Sequence, residues 1–224
     1  MAAPSPSAVD LRAAVHRMGL SVENAVREAV AALETGDGDR ARAIVAADAL
    51  IDRTEQEIEL ACVRALTGRP SGPASGQAHA EAGVRLVAAV LKTATDLERA
   101  ADHAAGIAKS ALRMGGGPRI RPVADIPRMA ELAARTLSDA TAAFAAQDVQ
   151  AARRAAQRDD AVDALYDQIF RELITYMLDD RTAVRQATHL LFVASHIERI
   201  GDYATNVAEW TVFVATGERV ELNA

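Results

Sequence analysis

The chain writes one phrase twice, a hundred residues apart. Residues 96–109 read D-L-E-R-A-A-D-H-A-A-G-I-A-K, and residues 196–209 read H-I-E-R-I-G-D-Y-A-T-N-V-A-E. Each copy sets a Glu and an Asp four residues apart inside an apolar run: Glu98 with Asp102, and Glu198 with Asp202. Side chains at i and i+4 stack on one helix face, so each copy presents a carboxylate pair in one direction. A second acidic pair precedes each copy, Asp48/Asp52 in the first half and Asp159/Asp163 in the second. An internal repeat of this kind demands a duplicated set of elements, here helices.

Composition supports helices and narrows the partners. Half the residues are hydrophobic but only 4% are aromatic. Ala, Leu, Arg and Glu favour helix, and the Val, Thr and aromatic runs expected of strands are missing. The formal net charge of -6 argues against nucleic acid as a partner. A single cysteine, Cys62, suits a reducing compartment and behaves as a small buried apolar residue. No apolar run approaches the roughly 20 residues that span a bilayer, and the start lacks a basic segment followed by an apolar one. The expectation is a cytoplasmic protein.

Breaks in the pattern predict six long antiparallel helices in two groups of three. After a disordered lead (1–8), helices are expected over Val9–Glu34, Asp39–Leu66 and Ala80–Met114, which form a first unit over 9–114. The Pro/Gly-rich segment 69–76 separates its last two helices. A Gly/Pro linker (115–124) leads to a second unit over 125–217, with helices Asp125–Ala146, Asp148–Leu178 and Thr182–Thr216, and a tail at 218–224. Asp148 and Asp180 sit where N-caps are useful. The fold class is all-α: two tandem, pseudo-symmetric three-helix bundles.

The carboxylates lie beside the seams predicted to be buried. Leu190, Val193, Ile197, Ile200, Ala204 and Val207 follow helical spacing, and Glu198 is one residue past Ile197, about 100° round the helix. The same offset places Glu98 and Asp102 beside Leu97, Ala100, Ala104 and Ile107. All eight acids are expected to flank the cores. If the second and third helices of each bundle are neighbours, their stripes meet along one groove.

These residues resemble a known family. Glu198-Arg199-Ile200-Gly201-Asp202-Tyr203-Ala204-Thr205-Asn206 is similar to the signature helix of the PhoU family of bacterial phosphate-signalling regulators. Asp159-Asp160-Ala161-Val162-Asp163 and Asp48-Ala49-Leu50-Ile51-Asp52 resemble that family's upstream pattern. The resemblance runs along nearly the whole chain. It implies a non-enzymatic negative regulator that joins the ATPase subunit of the phosphate ABC transporter to a membrane sensor histidine kinase, as a homodimer, reaching the membrane only through those partners. It also implies metal binding (iron, Mn or Mg) at Glu98, Asp102, Glu198 and Asp202, and with them Asp48, Asp52, Asp159 and Asp163.

The first copy departs from the pattern. Ala101 stands opposite Gly201, Gly106 opposite Asn206 and Lys109 opposite Glu209, while Arg85 keeps step with Arg185. The lost oxygen ligand and the added positive charge predict weaker metal binding in the first half. All-oxygen donors suit hard or borderline cations rather than structural zinc.

Other signals point to packing. No Glu-x-x-His occurs, which disfavours the competing reading of a metal-storing or metal-dependent carboxylate enzyme on a helical bundle. A metal-free scaffold with solvated acidic flanks is the other alternative. His103 and His196 read as surface or helix-packing residues. Trp210, Phe213 and Val214 read as core packed against the fourth helix, or as a docking patch.

Overall fold

A computed structural model describes residues 6–67, 77–115, 120 and 125–223, with the side chains of 77–80 left aside. Most of the expected lead, the 69–76 loop and most of the 115–124 linker lie outside the described residues. Seven helices are described: α1 (Ala8–Thr35), α2 (Gly38–Thr67), α3 (Gln77–Met114), α4 (Ile126–Ala146), α5 (Val149–Ala156), α6 (Asp159–Asp179) and α7 (Val184–Thr216). No strand occurs among them.

Local chemistry explains most helix ends. Ser7 and Asp10 cap each other at the start of α1, Ser7 Oγ accepting from Asp10 N at 3.2 Å and Asp10 Oδ2 from Ser7 N at 2.9 Å. Gly36 ends α1 at φ 69°, a left-handed turn where a Cβ is costly. Asp148 caps α5 by accepting from Ala151 N, and Asp180 caps a single 3-10 turn (Arg181–Ala183) before α7. Both capping expectations hold.

The fifth expected helix is broken. Instead of one rod over Asp148–Leu178, the chain turns at Gln157–Arg158 between α5 and α6. Arg158 N donates to Ala155 O and Ala161 N to Arg158 O, a tighter three-residue spacing, and Arg158 pairs with Asp139. The turn delivers Asp159 into the protein interior.

Helices α1, α2 and α3 pack together, as do α4, α5/α6 and α7. The halves join along two seams, α3 against α7 and α1 against α4, so one continuous hydrophobic core runs through both. The partners along each seam show that the helices run antiparallel: Arg12 reaches the carbonyl of Ala145 and Arg27 pairs with Glu131 between α1 and α4, and three pairs do the same between α3 and α7. Asp96 meets Trp210, His103 meets His196, and Arg185 reaches the carbonyl of Arg113. Gly19 lets α4 approach α1, since a Cβ there would lie 2.6 Å from Thr141.

The α3–α7 seam has approximate two-fold character, visible because matched residues differ by 100. His103 stacks on Tyr203, its own counterpart, with ring centroids 5.8 Å apart. Arg185 donates to the last turn of α3 at 3.1 Å, and Arg85 packs against Gly217 at the end of α7. Each arginine thus sits at the partially negative end of the opposite helix. Trp210 turns towards α3 rather than serving only the fourth helix: its Nε1 donates to Asp96 Oδ2 at 3.1 Å, with Phe213 edge-on and Arg219 stacked over the ring. Cys62 is buried, which pushes its thiol up to about 11.

Candidate functional site

Helix α2 packs on α3, and α6 on α7, so the acidic stripes of each half face one another. In the first half Asp48, Asp52 and Glu55 of α2 act electrostatically on Glu98 of α3. Burial raises the Glu98 carboxyl first, and Asp102, Glu55, Asp52 and Asp48 raise it further. Asp48 is raised by burial, then by Asp102 and Asp52, with Lys109 opposing. In the second half burial raises Asp163, and Asp202, Asp160 and Asp167 add to it. Glu198 is raised by burial and then by Asp202. Like charges crowd along both grooves, and for Asp48, Glu98, Asp163 and Glu198 they add to the effect of burial. The structure brings all eight acids together as two sets of four. Among the described residues, no three His, Cys, Asp or Glu side chains stand in an arrangement that would hold a metal ion.

The two sets differ in three ways. First, Asp159 is fully buried, which corrects the expectation that every acid flanks the core. Its Oδ2 accepts from Thr205 Oγ1 at 3.2 Å and from Asn223 Nδ2, while Oδ1 is buried without a partner. Burial, only partly offset by those donors, lifts the carboxyl to about 6. Gly201 makes the room, since a Cβ there would lie 2.5 Å from Asp159 Oδ1. Its counterpart Ala101 lines the same groove as Asp48, and Asp48 stays half-exposed.

Second, Arg199 already neutralises part of the second set, with Nε 3.5 Å from Glu198 and Nη1 3.2 Å from Asp202. Among the described residues no Lys or Arg comes within ion-pair distance of Asp48, Asp52, Glu98 or Asp102. Lys109 acts on Asp48 only from beyond that range.

Third, residues 218–223 run back along α7. Leu222 N donates to Glu209 Oε1 at 2.9 Å, and Asn223 reaches Asp159 and Thr205. The sequence carried no signal for Asn223, which lies outside any helical period. The expectation that the first half is the weaker cation site counted residue types along one helix. The geometry adds a difference that this count did not include: Arg199 pairs with Glu198 and Asp202, and the first set has no such partner among the described residues.

Comparison with known proteins decides the family. The PhoU domain profile matches residues 15–111 and 126–211, one match per half. The chain belongs to the PhoU family. It is 35% identical to the phosphate-specific transport system accessory protein PhoU homolog of Clostridium acetobutylicum, covering 96% of this chain and 94% of that protein. Identity to the homolog from Caulobacter vibrioides is 39%, over 94% of this chain and 88% of the relative. Among solved structures, PhoU from Pseudomonas aeruginosa superposes with a TM-score of 0.84 at 31% identity, covering 93% and 97% of the two chains. The phosphate transport system regulatory protein PhoU from Streptococcus pneumoniae gives 0.83 at 29%, covering 94% and 95%. The all-α architecture inferred from the PhoU repeat is therefore the fold of experimentally solved relatives. No described helix is long and apolar enough to cross a membrane.

Proposed function

We propose that this chain is an accessory regulator of phosphate uptake, one that holds the phosphate-starvation response off when phosphate is plentiful. It joins the ATPase subunit of a phosphate ABC transporter to a membrane sensor histidine kinase by protein contacts, acting as a homodimer and without chemistry of its own. The observation that carries this reading is near-full-length similarity to proteins named for the phosphate-specific transport system. Deleting the gene is expected to switch on phosphate-scavenging genes in phosphate-rich medium. Unchanged expression there removes the regulatory reading, and failure of the chain to co-purify with the transporter ATPase removes the contact.

Metal binding is the second part of the proposal. The donor chemistry suits a hard or borderline cation, because both grooves offer carboxylate oxygen, and the side chains would have to close on the ion, since no three of them stand in ligating positions among the described residues. The buried, unpartnered Oδ1 of Asp159 is a further free oxygen. Asp48, Asp52, Glu98 and Asp102 would hold a cation in the first half, and Asp159, Asp163, Glu198 and Asp202 in the second. An iron, manganese or magnesium ion would supply positive charge that draws α2 to α3, or α6 to α7. Elemental analysis of protein purified without chelators tests it; metal-free protein under iron- and manganese-replete growth ends the metal reading.

A further inference from the structure

The approximate two-fold at the α3–α7 seam relates two faces of opposite character. At matched positions Lys109 stands against Glu209, and His196 against Asp96. On the face of Glu209 and Asp96 those acids are already engaged, by Leu222 N and by Trp210, and Arg219 stacks on Trp210. The face of Lys109 and His196 is an open groove of about 620 Å³ between the second half of α3 and the first half of α7.

That groove concentrates positive charge in a chain of net charge -6. Lys109 and Arg113 line it one helical turn apart, and Arg185 adjoins it through its bond to the Arg113 carbonyl. Among the described residues no carboxylate lies within ion-pair distance of any of the three. Asp102 lines the groove nearer Arg99 and His103, and Asp48 influences Lys109 from longer range. His189 responds to the same uncompensated field: burial lowers its pKa first, and Arg113 and Arg185 lower it further. Its Nδ1 is buried and has no hydrogen-bond partner.

The imidazoles add a neutral donor. His103 and His196 approach Nδ1 to Nδ1 at 2.8 Å, so one ring donates and the other accepts. The accepting ring, when neutral, carries its proton on Nε2. Gly106 seats this pair, because a Cβ there would lie 2.5 Å from His196 Nε2. Phe192 lines the same groove and is 53% exposed, leaving an apolar ring beside the cations.

We propose that this groove binds a small anion bearing a chain of phosphates, with Arg113 and Arg185 clamping phosphoryl oxygens and Lys109 contributing a point charge. Planar guanidinium forks match phosphate oxygens in pairs, and an ammonium one turn away reaches the next group along the chain. The basic side chains Arg99 to Arg113 extend over about 21 Å of α3, a length that suits several linked phosphates better than one. Inorganic tripolyphosphate and a nucleoside triphosphate share this chemistry, and Phe192 offers a base-stacking surface only to the second. The inference goes beyond the regulatory reading and does not depend on it.

The test is calorimetric titration of the full chain at low salt, with chelator present so that no cation on the carboxylate grooves bridges to phosphate. The probes are tripolyphosphate, adenosine triphosphate, orthophosphate and, as a polyanion without phosphate, citrate. Saturable binding of tripolyphosphate or the nucleotide is expected, weakening as salt rises. The double variant Lys109→Ala/Arg113→Ala should lose about tenfold or more in affinity. Asp48→Asn/Asp52→Asn should keep it, with thermal melts confirming that both variants fold. Tighter nucleotide binding that falls in Phe192→Ala identifies the nucleotide; tighter tripolyphosphate binding untouched by that change identifies the inorganic chain. Absence of saturable heat at millimolar ligand, equal affinity in the Lys109/Arg113 variant, or citrate binding as tightly as tripolyphosphate overturns the proposal.

Discussion

Asp48 and Asp159 hold the same place in the two repeats, yet one stays at the surface and the other is sealed inside. The difference traces to the helix each packs on: Ala101 stands where the second repeat has Gly201, and a Cβ at 201 would lie 2.5 Å from Asp159 Oδ1. One methyl group decides whether the aspartate sinks against the helix or stays in the groove. The halves therefore share an ancestral scheme but carry electrostatically different sites: an unpaired acidic groove in the first, a paired and partly buried one in the second.

The largest expected effect tests the buried charge. Asp159 has a folded pKa raised from 3.8 to about 6. Between those values the folded chain holds a proton that the unfolded chain has released, so stability falls as pH rises through that window. The penalty is absent below about pH 4 and complete above about pH 6. Asp159→Asn, measured with chelator present, should gain on the order of 3 kcal/mol at pH 7 and little at pH 4. Asp48→Asn should show a smaller gain. Equal gains from the two changes break the comparison.

A smaller effect comes from exchanging the glycine. Gly201→Ala should drive Asp159 outward and return its carboxyl titration, followed by carbon-13 NMR, towards the ordinary range. The accompanying loss of stability should be about 1 kcal/mol, steric cost being partly offset by better helix propensity. Ala101→Gly should move Asp48 the opposite way. If neither titration moves, the methyl is not the cause.

The smallest stability change is expected from Arg199→Ala, within about 1 kcal/mol because the pairs are at the surface. Its sharper readout is cation retention. Freeing Glu198 and Asp202 should raise manganese binding in the second half towards that of the first, measured in the Asp48→Asn/Asp52→Asn background. Unchanged retention shows that Arg199 does not compete with a cation.

The helical architecture and the acidic stripe on each helix were legible because both are periodic, whereas the meeting of the stripes depended on which helices are neighbours. Glu98 and Asp102 could be placed beside Leu97 and Ile107 by counting residues, and the duplication supplied the pairing of halves. Periodicity is silent about contacts between elements, and the misreadings fall there. The turn at Gln157–Arg158 brings Asp159 against Gly201, a contact between two helices. Trp210 finds Asp96 across the seam, and Asn223 reaches Asp159 from a segment without regular structure. Arg99 and Arg199 are equivalent Glu-Arg neighbours in the sequence, yet among the described residues only Arg199 folds onto its acids, Glu198 and Asp202.

The uninterrupted core through α3 and α7 has a mechanical consequence. Among the described residues, neither repeat can swing away from the other without baring the seam of both. A push on one end of such a body would be felt at the other as the tilt of a stiff strut, by leverage instead of by bending.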